Sequence, residues 1–233
     1  MGFIALEKIT KTYGSGSAQV KALDSVDLTI QLGEFVAIMG ESGAGKTTLL
    51  SVMGAMNRPS SGRYRVDGIN VYDLAVEQQA DFRREYLGFV FQSFHLIPYL
   101  TVLENVLLPV TPLQIPAREK EDMANQALAW VGLEDKAKRL PNQISGGEKE
   151  RAAVARAIVN NPPVLLADEP TGNLDTRNTR EVMELLTRLQ AGGTTVIMVT
   201  HSAVCATYAQ RTVNVRDGCL EYLSPEDKTV YAA

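Results

Sequence analysis

Phe35-Val36-Ala37-Ile38-Met39 runs directly into Gly40-Glu41-Ser42-Gly43-Ala44-Gly45-Lys46-Thr47, and Thr48-Leu49-Leu50-Ser51-Val52-Met53 follows without a break. An unbroken apolar run of this length reads as a buried parallel strand. The residues after it match GxxxxGK[ST] in full, and a helical pattern over 46–55 completes the strand–loop–helix context that the motif requires. Glycines let backbone N–H groups converge on phosphate oxygens, and the start of the helix adds its positive dipole end. The loop 40–48, Thr48 included, is therefore expected to cradle nucleotide phosphates. Lys46 would supply charge to the β/γ-phosphates and Thr47 a hydroxyl to Mg²⁺.

Working outward, Val164-Leu-Leu-Ala167 and Thr195–Val199 read as two more buried strands. Each is followed by a helical pattern, over 175–189 and after His201. The first of these strands ends on Asp168-Glu169. Acids at the end of a buried strand need something to offset their desolvation, most simply a metal ion. Asp168 is thus expected to hold Mg²⁺, and Glu169 to polarise an attacking water. The first 35 residues read as β, over 3–10 and Val20–Ile30, and the Asp67-Gly68 and Asp217-Gly218 pairs suggest hairpin turns. From 101 to 160 the pattern is almost wholly helical. Thr101-x-x-Glu104 and Ser145-x-x-Glu148 form capping-box sequences, and Pro116 suits a first helical turn. The expected fold is α/β: a P-loop NTPase core with a RecA-like, mostly parallel sheet, an N-terminal antiparallel β subdomain and an inserted α-helical subdomain. The expected organisation is one nucleotide-binding domain over 1–233, with a catalytic core at about 1–92 and 161–233 and the helical subdomain at about 93–160.

Composition narrows the function classes. The chain has 233 residues, 45% of them apolar, and 23 basic against 27 acidic side chains give a net charge of −4. Such a chain is not disordered, and its charge argues against broad nucleic-acid binding. The stretch 86–103, which has no Asp, Glu, Lys or Arg, carries too many polar groups to span a bilayer. No signal-peptide or myristoylation pattern opens the sequence. The two cysteines, Cys205 and Cys219, form no CxxC pair and are expected as buried small hydrophobes in a reducing compartment.

Beyond the phosphate loop the sequence resembles one family, the ATP-binding subunits of ABC transporters. Ile144-Ser145-Gly146-Gly147-Glu148 resembles its LSGGQ signature, and Asp168-Glu-Pro-Thr-Gly-Asn-Leu-Asp175 its Walker B motif and D-loop. Thr200-His201 is similar to the switch histidine, Gln92 to the Q-loop glutamine, and Tyr13 to the aromatic that stacks on adenine. The resemblance implies an ATPase that uses ATP and Mg²⁺ and closes as a head-to-tail dimer. Ser145, Gly146, Gly147, Glu148 and Asp175 would complete the partner's site in trans. Glu169, His201 and Gln92 would be catalytic, with Gln92 also sensing Mg²⁺. It further implies a separate transmembrane permease, placing the chain in the cytoplasm on the inner face of the membrane. Segment 86–103 and the helix that follows it are the expected docking surface, because uncharged exposed residues there would suit a partner.

Simpler readings stand beside these. Ser145 caps a helix by itself, although a cap does not need two consecutive glycines, which suit close approach to a phosphate. Asp175 is also a natural N-cap. The sequence departs from the family pattern at Ile144, a mild change, and at Glu148, whose charge favours the helix dipole but could repel ATP. This glutamate, the stretch DEPTGNLD and Phe89-Val-Phe-Gln-Ser-Phe-His-Leu are similar to the lipoprotein-releasing and macrolide-exporter branch. The rivals are a regulatory clamp with little turnover, a P-loop small-molecule kinase, and a DNA-repair ATPase. The last needs a long coiled coil that the segment 101–160 is too short to form.

Overall fold

The structure is a computed structural model that describes residues 2–222, so the last part of the segment 161–233 lies outside the described residues. In chain order the elements are β1 (Ile4–Tyr13), β2 (Val20–Ile30), β3 (Phe35–Met39), α1 (Lys46–Met53), β4 (Ser61–Val66), β5 (Ile69–Asn70) and α2 (Val76–Tyr86). There follow β6 (Leu87–Phe91), α3 (Val102–Leu107), α4 (Ala117–Trp130), α5 (Gly146–Ile158) and β7 (Val164–Asp168). The chain continues through α6 (Thr176–Ala191), β8 (Thr195–Val199), α7 (Ala203–Ala206), β9 (Arg211–Arg216) and β10 (Cys219–Tyr222). They form an antiparallel sheet in the order β2-β1-β4-β5 and a six-stranded sheet in the order β10-β9-β3-β8-β7-β6. The second sheet is parallel except where β10 folds back on β9.

The parallel strands are buried on both faces, and alternate residues enter two different cores. Val36 and Ile38 of β3, with Ile197 and Val199 of β8, pack toward α1 and the antiparallel sheet. Phe35, Ala37 and Met39, with Val196 and Met198, face the helical side, where Val102, Leu128, Val154 and Met183 lie. This two-sided burial explains why those strands read as continuous apolar runs rather than alternating ones. α5 contributes Ala152, Val154, Ala155 and Ile158 to the same core as Val90 of β6, joining the helical segment to the sheet.

Local chemistry accounts for most boundaries. Thr101 accepts from the Glu104 backbone N–H while the Glu104 carboxylate accepts from the Thr101 N–H, and Ser145 and Glu148 do the same. Both Asp-Gly pairs adopt left-handed conformations that match hairpin twist. Other details differ from expectation. β1 continues to Tyr13, through register shifts along its pairing with β2. α1 stops at Met53, because Gly54 ends it and Ala55 turns left-handed. Pro116 occupies the cap position of α4 rather than its first turn. The helix after His201 is a single turn. Cys205 is buried as expected, but Cys219 is exposed on β10, the outermost strand of its sheet.

One buried group is unusual. Glu150 of α5 is 1% exposed, and one of its carboxylate oxygens has no hydrogen-bond partner. Burial pushes its carboxyl up to about 9, against the opposing charge of Arg156. The folded chain therefore holds a proton that the unfolded chain releases, and stability falls as pH rises between about 4.5 and about 9. Glu150→Gln, neutral at every pH, is expected to raise Tm at pH 8, with the gain shrinking to nothing near pH 4.5. Thermal melts across that range check this, and a gain independent of pH would contradict it.

Candidate functional site

Four strands of the parallel sheet end on the same edge. Register places Phe91 beside Asp168, Asp168 beside Val199, and Val199 beside Ile38. Gln92, Glu169, Thr200 and Met39 therefore leave the sheet side by side, and the loop 40–45 follows Met39. Ligand sites in open parallel sheets lie at this C-terminal edge.

The loop is held by backbone approach that only glycine permits. A Cβ on Gly40 (φ +148°) would lie 2.3 Å from the Val215 carbonyl oxygen, and one on Gly45 (φ +109°) 2.4 Å from that of Ala22. The Gly218 N–H donates to the Ala44 carbonyl at 3.0 Å, so the β9–β10 turn supports the loop from below. Inside the loop the Lys46 ammonium donates to the Gly40 and Glu41 carbonyls, both at 2.8 Å, and the residue is only 9% exposed. Thr47 and Thr48 follow in the first turn of α1.

Asp168 faces this loop, where the Thr47 side chain and the Lys46 charge both act on its carboxyl. Burial, and then the neighbouring charge of Glu169, raises the Asp168 carboxyl above its ordinary range, while Thr47 and Lys46 act in the opposite direction. A half-buried carboxylate beside a hydroxyl fits Mg²⁺, which keeps several waters and shares phosphate oxygens. The described residues contain no group of three or more His, Cys, Asp or Glu that could hold a metal without such help.

Glu169 has a left-handed backbone (φ +49°), and its N–H donates to the Val199 carbonyl at 2.9 Å. Its carboxylate accepts from His201 Nδ1 at 2.9 Å and from the His201 backbone N–H at 3.3 Å. The carboxylate and the imidazole thus form a unit at the end of β7 and β8. Gln92 is less engaged: its carbonyl accepts from Asn173 at 3.0 Å, and its side-chain amide lies against Gly172 rather than on Thr47 or Asp168. Tyr13 is half-exposed, with the Lys11 ammonium 5.1 Å above its ring and Asn57 donating to its hydroxyl. It pairs with Val20, two residues from the Ala22 carbonyl that abuts Gly45, so its strand passes near the loop.

Ser145, Gly146, Gly147 and Glu148 open α5, and Asp175 caps α6 by accepting from the Asn178 N–H at 2.9 Å. No hydrogen bond or ion pair among the described residues joins these groups to 40–48. The Glu148 carboxylate turns back onto the Ser145 N–H, which, together with the Ser145 hydroxyl and Lys136 3.9 Å away, holds it below the usual carboxylate range. The two glycines differ in their surroundings. Gly146 is open on its outer side, whereas Gly147 lies against the Asn178 side chain of the same chain. Asn178, Asn57 and Asn173 escaped sequence reasoning, because single asparagines carry no pattern.

The sequence profile of the family described as ABC transporter matches residues 23–172. The chain belongs to the ABC transporter family. The uncharacterized ABC transporter ATP-binding protein YvrO of Bacillus subtilis (strain 168) is 45% identical over 92% of this chain and 94% of its own length. The macrolide export ATP-binding/permease protein MacB of Rhodopseudomonas palustris (strain BisB18) is 46% identical, again over 92% of this chain, but the match spans only 33% of that longer protein. Among solved structures, the dimeric post-hydrolysis state of the ATP-binding cassette MJ0796, bound to ADP and phosphate, superposes with a TM-score of 0.86 and 41% identity. That match covers 95% of this chain and 99% of the other. As an ABC ATPase the chain binds ATP, uses Mg²⁺ and hydrolyses ATP to ADP and phosphate. Among its described residues no helix is long and apolar enough to cross a membrane.

Proposed function

We propose that this ABC ATPase is the energy-supplying subunit of an export-type transporter, exporting macrolide-like compounds or releasing lipoproteins. It works in the cytoplasm on the inner face of the membrane, as a head-to-tail dimer bound to a separate transmembrane permease. One observation carries the dimer: a phosphate cradle at 40–48 and a capped, glycine-opened helix start at 145–147 share one chain without any bond between them. Two copies arranged head to tail would bring each cradle against the other's helix start. The dimeric state of the cassette MJ0796, bound to ADP and phosphate, supports a two-copy assembly. The ATP-binding/permease description of MacB, of which the chain matches one third, supports a permease partner and the export task.

In this reading 40–48 holds the phosphates, with Lys46 neutralising charge, and Tyr13 stacks on adenine. Thr47, Asp168 and Gln92 would hold Mg²⁺, which when bound screens the phosphate charge. Glu169 acts on the attacking water, and His201 orients it while contacting the γ-phosphate. Phosphoryl transfer needs positioning and charge neutralisation more than covalent chemistry, which suits this set. Ser145, Gly146, Gly147, Glu148 and Asp175 serve the partner's nucleotide. Among the described residues, those of the segments at about 1–92 and 161–233 would make up the catalytic core with its β subdomain, and those at about 93–160 the helical subdomain. The exposed Gln92, Ser93, Pro98 and Tyr99 offer the permease an uncharged surface.

Affinity purification from the native membrane, with mass spectrometry of what accompanies the chain, tests the reading. A permease should accompany it, and its absence would count against the assignment. The signature role has its own test. Ser145→Arg places a bulky cation where the helix start must approach the partner's γ-phosphate, and should reduce turnover about 10²-fold or more. Glu148→Gln, which can still complete the capping box, should retain nearly full turnover. Normal hydrolysis by Ser145→Arg, assayed with the permease present, would reduce the motif to a helix cap.

A further inference from the structure

α5 and α6 begin side by side, and one side chain joins their first turns. Asn178 donates to Asp175 twice, from its backbone N–H at 2.9 Å and from Nδ2 at 2.7 Å. The same side chain covers Gly147 so closely that a Cβ there would lie 1.8 Å from Asn178 Oδ1 and 2.4 Å from Cγ. A Cβ on Gly146 would meet only Leu174 Cδ2, at 4.0 Å. One turn further along, Arg151 donates to Glu181 at 2.6 Å. That ion pair is partly exposed and holds the helices only weakly. Asn178 is short and half-buried, packed against one helix start and bonded to the cap of the other, so it sets their spacing.

We propose that Asn178 is a positioning residue that locks the signature start 145–147 to Asp175, so that both reach the partner's nucleotide as one rigid unit. Gly147 is then glycine because of Asn178 in its own chain, not because of the nucleotide. The proposal rests on the reading that 145–147 and Asp175 act in trans. Its logic is geometric. Two groups carried by different helices serve one ligand only if their separation is constant, and a misplacement of about 1 Å costs roughly 10²-fold in rate. Glycine inside a helix costs about 1 kcal/mol relative to alanine, so its presence at 147 needs a steric cause.

Suppression separates the two explanations for Gly147. ATP turnover is measured for Gly147→Ala, Asn178→Ala and the double variant, in the full chain with its permease. Gly147→Ala should lose about ten-fold or more in kcat, because the new methyl displaces Asn178. Adding Asn178→Ala removes Oδ1 and Cγ and leaves only Cβ, at 3.0 Å. A shift of a few tenths of an ångström accommodates that contact, so the double variant should recover several-fold. A double variant as inactive as Gly147→Ala would overturn the proposal and return Gly147 to the nucleotide; full activity of Gly147→Ala itself would overturn it too, by removing any steric demand at 147. Asn178→Ala alone should lower kcat several-fold, while Tm and the affinity of the isolated chain for a fluorescent ATP analogue stay unchanged. This arm stands even if Gly147→Ala fails to fold, and parental kcat in it would also overturn the proposal. Ser145→Arg runs alongside. If it turns over normally the trans reading has failed and takes this proposal with it, whereas failed suppression with Ser145→Arg inactive removes Asn178 alone.

Discussion

Glu169→Gln is expected to bind Mg-ATP, form an ATP-dependent dimer that accumulates, and hydrolyse almost nothing. The substitution keeps size and hydrogen-bonding capacity and removes only charge. The backbone at 169 is left-handed, a conformation no easier for glutamate than for glutamine, so the strain is the same in both. The contacts from His201 Nδ1 and the His201 N–H need an acceptor, which the glutamine carbonyl oxygen supplies. What disappears is the negative charge that would draw a proton from the attacking water. Loss of general-base assistance is worth about 10²–10⁴-fold in rate. Removing that charge also relieves Asp168, whose carboxyl it pushes up, so Mg²⁺ should not be lost with it. Size-exclusion chromatography with and without Mg-ATP reads the dimer, and phosphate release reads turnover. Parental turnover would remove Glu169 from the role of base. A monomer under excess Mg-ATP would count against the accumulating dimer, provided it persists with the permease present.

The residues that were legible in sequence are those whose chemistry is local. Phe35–Met39 announces a two-sided buried strand because neither face can tolerate a polar group, and both faces are indeed core. The phosphate loop is legible because backbone approach at Gly40 and Gly45 excludes every other residue. The boxes at Thr101 and Ser145 need only four consecutive residues to close. Glu169 and His201 stand 32 positions apart, yet each follows an apolar strand, and parallel register brings such ends together.

What escaped is decided by packing across the chain. α2 buries only Phe82 and has no capping side chain from residue 75, so its sequence shows little helical stripe. Cys219 looked buried by type but lies on the outermost strand, and edge position is a property of topology rather than of residues. The packing of Gly147 against Asn178 is invisible in sequence, because the two stand 31 positions apart (178 − 147) on different helices. The loop after Gln92 is held in the same non-local way. Arg156 of α5 donates to the Phe94 and His95 carbonyls, and buried Asn105 of α3 binds Ile97, Leu100 and Thr101. Nothing in the run 92–101 announces those partners.

Lys46→Ala should fail earlier in the cycle than Glu169→Gln, and the two failures should have opposite signs in the dimer assay. The Lys46 ammonium lies within hydrogen-bond reach of two loop carbonyls and brings the one positive side chain of the loop into its centre. A charged hydrogen bond is worth roughly 1.5–3 kcal/mol, so its loss should weaken ATP binding by about 10–100-fold. A preorganised donor lost from the transition state costs a further 10²–10³-fold or so in rate. Turnover should therefore be undetectable and no ATP-dependent dimer should form, even at concentrations where Glu169→Gln is fully dimeric. The fold should survive. Alanine is the strongest helix former, the Leu49 N–H to Gly45 bond of α1 is untouched, and the two freed carbonyls border an open loop that water can reach. Lys46→Arg keeps the charge, but its planar fork cannot point three donors at carbonyls and phosphate as an ammonium does, so it should remain inactive. Circular dichroism melts, analogue binding and phosphate release on all three variants make the comparison. Unchanged nucleotide affinity and turnover in Lys46→Ala would mean that the loop 40–48 is not where ATP binds.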